Sequence, residues 1–356
     1  MSWHGIRGHD EVVERFRRAL ARGRLATSFL FVGPEGVGKR AFALKLAQAL
    51  LCSAHPESAL EPCERCPSCL QVAAGSHPDV DVVAKPKDKS FLPLDLLIGD
   101  QDHRMREGLC HRIALKPFMG GRKVAVIDDA DHLNAEGANC LLKTLEEPPP
   151  RSVLILIGTS PVKQLPTIRS RCQLVRFRPL ADDDVAELLL EKQLVSDPAE
   201  ARRLAAHAEG SLQRALDLAD VDLWTFRERL DERLGEPVLD SLELSGAVLS
   251  FVEAAGREAP ARRARLRLVV GFAVDFFRRV MHRLSGAPIG GDDLVRPSIE
   301  RAVANGATID AVAACLDRCL ETAEQIDRNA NATTLVECWL DDLARISGAA
   351  RAAGRS

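Results

Sequence analysis

The sequence predicts an α/β domain built on a mostly parallel sheet and followed by two helical domains. Three observations carry that expectation. Between residues 28 and 177, short apolar runs alternate with helix-like segments, the pattern of a sheet covered on both faces. Strand signals stop after Pro179. From ADDDVAELLLEK onward the chain is rich in Ala, Leu and Arg with helical periodicity, interrupted at SDP, EGS, GEP and SGAPIGG, which separate one helix from the next.

SFLFV, VDVVA, KVAVID, VLILIG and QLVRF read as the strands. The segment after Lys39, the one from Met105 to Ile113, and Ala135 to Glu146 read as helices. These place an α/β domain at 1–178, a small helical domain at 179–222, a larger one at 223–348, and a frayed tail at 349–356. A length of 356 residues suits two or three domains.

Bulk composition sets further bounds. Hydrophobic residues at 46% and charged residues at 28% fit a globular chain and exclude a largely disordered one. With 48 basic and 51 acidic residues the net charge is −3, so any contact with nucleic acid must be local. The charged N-terminus and the lack of a run of about 18 apolar residues lead us to expect a cytoplasmic protein. In a reducing compartment a cluster among the ten cysteines points to metal rather than disulfides.

The first chemical motif is GPEGVGKR, residues 33–40, with the spacing of a phosphate-cradling loop. Gly33, Gly36 and Gly38 let the backbone turn its N–H groups toward phosphate, and Lys39 would reach the outer phosphates. An unliganded strand-to-helix turn is the bland alternative. Arg40 stands where a magnesium-binding Ser or Thr is expected and cannot ligate a cation, although it could contact a phosphate. ATP binding is therefore allowed and hydrolysis doubtful.

In VAVIDDADHL a strand ends in Asp128, placed to orient magnesium. Asp129 follows where a water-activating Glu is expected, one methylene too short; a capping turn is the alternative. Asp131 is accounted for by the strand end, and no other carboxylate set suggests polymerase or nuclease chemistry. Thr159 ends the next strand on the same side.

Cys52, Cys63, Cys66 and Cys69 lie on one short excursion and suffice for a closed, structural Zn²⁺ site. An iron–sulfur cluster or four unligated thiols are the alternatives. His55 and His77 read as surface residues. Cys110, Cys140 and Cys338 read as core, and Cys315 with Cys319 as helix packing. The SRC triplet, Ser170, Arg171 and Cys172, precedes the last strand; alone, its arginine would be a solvated charge or a salt-bridge partner.

Together, GPEGVGKR, the four cysteines, IDDADHLNAEGANCLLKTLEEPP and SRC resemble the bacterial DNA polymerase III clamp-loader branch of the AAA+ family, over most of residues 1 to about 220. The closing NANATTLVECWL resembles the C-terminal collar helices of the same branch. The resemblance implies an AAA+ P-loop domain, a helical lid and an all-α collar. Motor subunits of the branch carry a Thr after the loop Lys, a Glu after the strand Asp, and a nucleotide-contacting Arg in a GSLR turn. Here these positions are Arg40, Asp129 and Gln213, with Arg214 one place on, where it could partly substitute as the nucleotide contact.

SRC is intact. In the family its arginine reaches the neighbouring subunit's nucleotide, which makes Arg171 an expected arginine finger in trans. The implied role is the stator of the ring, a holoenzyme subunit with a degenerate ATPase of its own. Its implied partners are the gamma/tau ATPase subunits, the delta subunit and, through the complex, the sliding clamp and primer–template DNA. An active ATPase subunit and a zinc-bearing scaffold without nucleotide remain as alternatives. Arg15, Arg17, Arg18, Arg22 and Arg24 could touch phosphate or form a solvated helix face. The insert at 90–108 is longer than the resemblance leads one to expect.

Overall fold

The computed structural model describes residues 2–86, 89, 91–104, 106–119, 121–287, 295–328 and 330–353. Ser90 and Met105 of the insert, residues 288–291 of the SGAPIGG breaker, Asn329 and the last three residues lie outside them. The chain divides into two compact units, residues 1–216 and 217–356. The helices assigned by sequence to a separate small domain fall mainly in the first unit.

In that unit the order is α1 (Asp10–Ala21), β1 (Ser28–Val32), α2 (Lys39–Leu50), α3 (Pro67–Ala73), β2 (Val80–Val83), α4 (Leu94–Ile98), α5 (Gly108–Ala114), β3 (Lys123–Ile127), α6 (Ala135–Glu146), β4 (Ser152–Gly158), α7 (Pro166–Arg169) and β5 (Gln173–Arg176). Then come α8 (Asp182–Glu191), α9 (Pro198–His207) and α10 (Leu212–Asp217). The five strands form one sheet in the order β2-β3-β4-β1-β5, and every adjacent pair is parallel.

Strand β1 is buried along its whole length between β4 and β5, with Ser28 opposite Leu154 and Phe29 opposite Gln173. Its uninterrupted apolar run is what a two-face-covered parallel strand requires. Alternate residues feed two cores: Phe29 and Phe31 join Phe16, Phe42 and Phe177 on one face, while Leu30 and Val32 join Leu97, Leu109, Leu141 and Ile168 on the other. The insert belongs to this second core through Leu92, Leu97 and Ile98.

On α1, Arg17 pairs with Glu14 and Glu61, and Arg18 with Glu14. Part of that arginine row is thus engaged within the chain. His77, expected at the surface, is instead buried; Ser68 Oγ lies 3.0 Å from its Nε2, and its Nδ1 accepts the Asp79 N–H at 3.0 Å. Burial pushes its imidazole below the ordinary histidine pKa, as expected when the charged form is desolvated. His55 is exposed, as expected.

Asp79 is fully buried and accepts the N–H groups of Phe118 at 2.7 Å and Met119 at 2.9 Å, with Lys123 Nζ at 3.7 Å. Its removal strands two donors and a buried ammonium. We expect Asp79→Ala to destabilise the first unit by about 3–5 kcal/mol, seen as faster hydrogen exchange at the Phe118 and Met119 amides.

The second unit holds α11 (Val221–Leu234), α12 (Ser241–Glu253), α13 (Ala259–Leu284), α14 (Arg296–Ala304), α15 (Ile309–Asp327) and α16 (Ala332–Ala353). Its core includes Phe272, Phe276, Cys319, Trp339 and Leu340. Burial alone would raise the Asp275 carboxyl, but Arg279 at 3.1 Å and Arg227 at 2.7 Å hold it below the ordinary value. Two expectations are corrected. Cys338 is exposed on α16 rather than core, because the buried stripe there runs through Val336, Trp339 and Leu340. The tail is helical to Ala353, since the Ala-rich run after Gly348 continues a helix at little cost. Among the described residues no helix is long and apolar enough to cross a membrane.

Candidate nucleotide and metal sites

The phosphate loop follows β1 and ends at Gly38, the cap of α2, whose φ of +93° suits glycine. Gly36, at φ +73°, has a second reason as well. A Cβ there would lie 2.1 Å from Ser211 Oγ, because Leu212 at the start of α10 donates its N–H to the Gly36 carbonyl at 3.0 Å. At the loop's start, the Gly33 N–H donates to the Thr159 carbonyl at 3.1 Å and so joins the loop to the end of β4.

Loop, strand ends and α10 border a solvent-open cavity of about 450 Å³. Gly36, Gly38, Lys39 and Arg40 line it from the loop, Asp128, Asp129 and Asp131 from the end of β3, Thr159 from β4, and Gln213 from α10. Lys39 is buried and donates to the carbonyls of Gly33 at 2.6 Å and Pro34 at 2.5 Å. Burial lowers its ammonium pKa, while Glu35, Asp131, Asp128 and Asp129 push it back up.

Arg40 Nη1 lies 3.5 Å from Asp128 Oδ2. This pair joins loop and strand at the positions where a hydroxyl and a carboxylate would share a magnesium ion. Burial, reinforced by Asp129, raises the Asp128 carboxyl pKa, and Arg40 offsets part of the rise. Asp129 is exposed, adopts the left-handed φ of +56°, and donates its N–H to Asp128 Oδ1 at 3.1 Å.

Thr159 does not stand alone. Its N–H at 2.7 Å and hydroxyl at 2.5 Å both donate to Asp131 Oδ2, while Gln164 Nε2 donates to Oδ1 at 2.6 Å. Asp131 therefore fixes the Thr159 rotamer, a role its place in DDAD did not reveal. Arg214 is engaged within the chain. Its Nη1 bonds Glu209 at 2.7 Å and it does not line the cavity, because the α10 register turns Gln213 inward instead.

Arg171 lies on the turn between α7 and β5. Its Nη1 donates to the Thr167 carbonyl at 3.0 Å and to Ser170 Oγ at 3.2 Å, and its Nη2 lies 2.6 Å from Glu146 Oε1. The next residue, Cys172, packs against the core of the second sheet face, where burial pushes its thiol up to about 12. SRC thus works as a unit: a hydroxyl that steadies the guanidinium, the arginine, and an apolar anchor.

The four cysteines converge. The Sγ atoms of Cys52, Cys63, Cys66 and Cys69 all lie within 4.8 Å of one another, near enough for one metal ion to reach all four. Backbone N–H groups point at sulfur: Cys63 to Cys52 at 3.5 Å, Cys66 to Cys63 at 3.3 Å, and Cys69 to Cys66 at 3.4 Å. Burial opposes ionisation of Cys66, but hydrogen bonds from Ser53 and Cys69 overcome it and bring the thiol down to about 5. Burial raises Cys69, whose thiol also contends with Cys66. Four clustered sulfurs can bind a metal and, with all four engaged, leave no open position for catalysis.

The loop at the end of the strand between β4 and β5, the acidic end of β3 and the cavity between them define a P-loop α/β module. Residues 8–181 match the family described as DNA polymerase III, delta subunit. The chain is 31% identical over 211 residues to the DNA polymerase III subunit delta' of Bacillus subtilis (strain 168), covering 59% of each chain. It is 36% identical over 191 residues to the delta' subunit of Pseudomonas aeruginosa, covering 53% of this chain and 55% of that one. Against DNA polymerase III subunit tau of Escherichia coli (strain K12) the identity is 29% over 301 residues, 80% of this chain and 44% of that one. The chain is thus similar to the DNA polymerase III delta' and gamma/tau subunits, and the matched stretch spans a little over half the length of those delta' proteins and under half that of the tau protein.

Proposed function

We propose that this chain is the delta-prime-type stator of a bacterial clamp loader. It completes a ring with gamma/tau ATPase subunits and a delta subunit, and supplies Arg171 to the ATP held by its neighbour. Its own cavity is an impaired engine, and its four cysteines hold a structural zinc ion. The helices of the second unit serve as the collar through which subunits associate, and the ring loads a sliding clamp on primed DNA in the cytoplasm. The observation that carries this reading is the contrast between an intact, exposed SRC arginine and a phosphate loop whose Arg40 faces Asp128 at 3.5 Å.

An arginine that reaches a neighbour's γ-phosphate stabilises the charge developing in phosphoryl transfer and needs no cofactor of its own. In the chain's own cavity the same chemistry lacks two parts. Arg40 offers no oxygen to a cation, and Asp129 falls a methylene short on a left-handed backbone. Lys39 and the loop N–H groups still suit a polyphosphate, so nucleotide retained without turnover is compatible with the site.

The test is ATP turnover by the purified chain alone, with bound labelled ATP recorded in the same samples. Turnover equal to that of a Lys39→Ala control is expected. Turnover clearly above that control would make the chain a motor subunit and remove the stator reading.

A further inference from the structure

The stretch KTLEEPP ends α6 with two acidic residues, Glu146 and Glu147, before Pro148. A carboxylate at a helix C-terminus faces the negative end of the helix dipole. Helix stability therefore does not account for Glu146. Its partner does: Glu146 Oε1 lies 2.6 Å from Arg171 Nη2. The guanidinium is thereby held at three points, by Glu146, the Thr167 carbonyl and Ser170 Oγ. It remains a third exposed, with Glu146 half exposed.

From this contact we infer that Glu146 is the positioning residue for Arg171, and that it sets the direction in which the guanidinium leaves the surface before a neighbour's nucleotide arrives. The inference rests on the trans role of Arg171 proposed above. A free arginine side chain samples many rotamers, and a planar fork already fixed by a carboxylate loses less on forming its next hydrogen bond. Glu146 takes one side of the fork. The Nη2 and Nε groups then offer their remaining N–H donors to a phosphate oxygen, and no proton is transferred. Placement errors near 1 Å weigh heavily in a transition state and little in the ground state, so the carboxylate acts on turnover rather than on substrate affinity.

The experiment uses the reconstituted ring with gamma/tau and delta subunits, the clamp and primed DNA, and compares Glu146→Ala, Glu146→Asp, Arg171→Ala and the Glu146→Ala/Arg171→Ala pair. We expect Glu146→Ala to lower the single-turnover rate of ATP hydrolysis at the motor site beside this chain roughly tenfold, with that site's affinity for ATP and the dissociation constant of this chain for the ring unchanged. Glu146→Asp should recover part of that loss, and the double variant should match Arg171→Ala alone. A purely structural surface pair would show none of this pattern. Unchanged or increased turnover in Glu146→Ala, or losses that multiply in the double variant, would overturn the inference while leaving the Arg171 reading intact. No loss in Arg171→Ala would instead remove the reading beneath it.

Discussion

A ring reassembled with Arg171→Ala in this chain is expected to hydrolyse ATP at the adjacent motor site about 10³-fold more slowly, the lower end of what a trans arginine finger contributes. The effect belongs to a single interface. Turnover at motor sites that receive their arginine from another subunit should persist, so single-turnover measurement with this interface isolated is the proper readout. Assembly should survive, because Arg171 is exposed and its contacts are local, to Thr167, Ser170 and Glu146. Arg171→Lys should rescue little, since an ammonium lacks the planar fork. A loss smaller than tenfold would place the finger elsewhere.

The second large effect concerns the cysteine cluster. Purified chain should carry one zinc per molecule, and Cys69→Ala should release it. Cys69 lies at the buried end of the cluster, on α3, where its thiol reaches toward the Gln48 carbonyl at 3.8 Å and its own carbonyl accepts Gln48 Nε2 at 2.8 Å. Loss of the metal would free the excursion between α2 and α3 and leave three thiols to repel one another when ionised. Because binding free energy at such sites is folding free energy, a destabilisation of several kcal/mol is expected. Mass spectrometry under native conditions, before and after chelation, reads the stoichiometry, and thermal unfolding reads the stability. A zinc-to-protein ratio near zero, or an iron–sulfur absorption band, would contradict the assignment.

The sheet was legible in the sequence because a parallel strand covered on both faces leaves a plain mark. SFLFV and VLILIG are apolar at nearly every position, and they are two of the three interior strands. The cysteine cluster was legible for a similar reason, since C-x2-C-x2-C spacing brings the sulfurs together whatever surrounds them. Contacts between side chains distant in the chain were not. Nothing in KTLEEPP points to Arg171, nothing in DDAD shows that Asp131 holds Thr159, and only the register of α10 decides that Gln213 rather than Arg214 faces the cavity. Burial of His77 was missed because its shell is polar: Ser68 and the Asp79 backbone N–H satisfy it, and an apolar pattern search passes over such a site.

Arg40 marks the limit of motif reading in another way. Its departure from the loop pattern was visible at once, yet its counterpart was not. The structure supplies Asp128 as that counterpart, and a guanidinium placed there competes with any cation for the same carboxylate.

The measurement that tests the central claim most directly is ATP hydrolysis by the complete ring with Lys39→Ala in this chain, beside rings carrying the unaltered chain and Arg171→Ala. The account predicts that Lys39→Ala leaves ring turnover at the unaltered rate while Arg171→Ala does not, because this chain lends an arginine and spends no nucleotide. Loss of turnover in Lys39→Ala, with Arg171→Ala unaffected, would show a motor where we describe a stator.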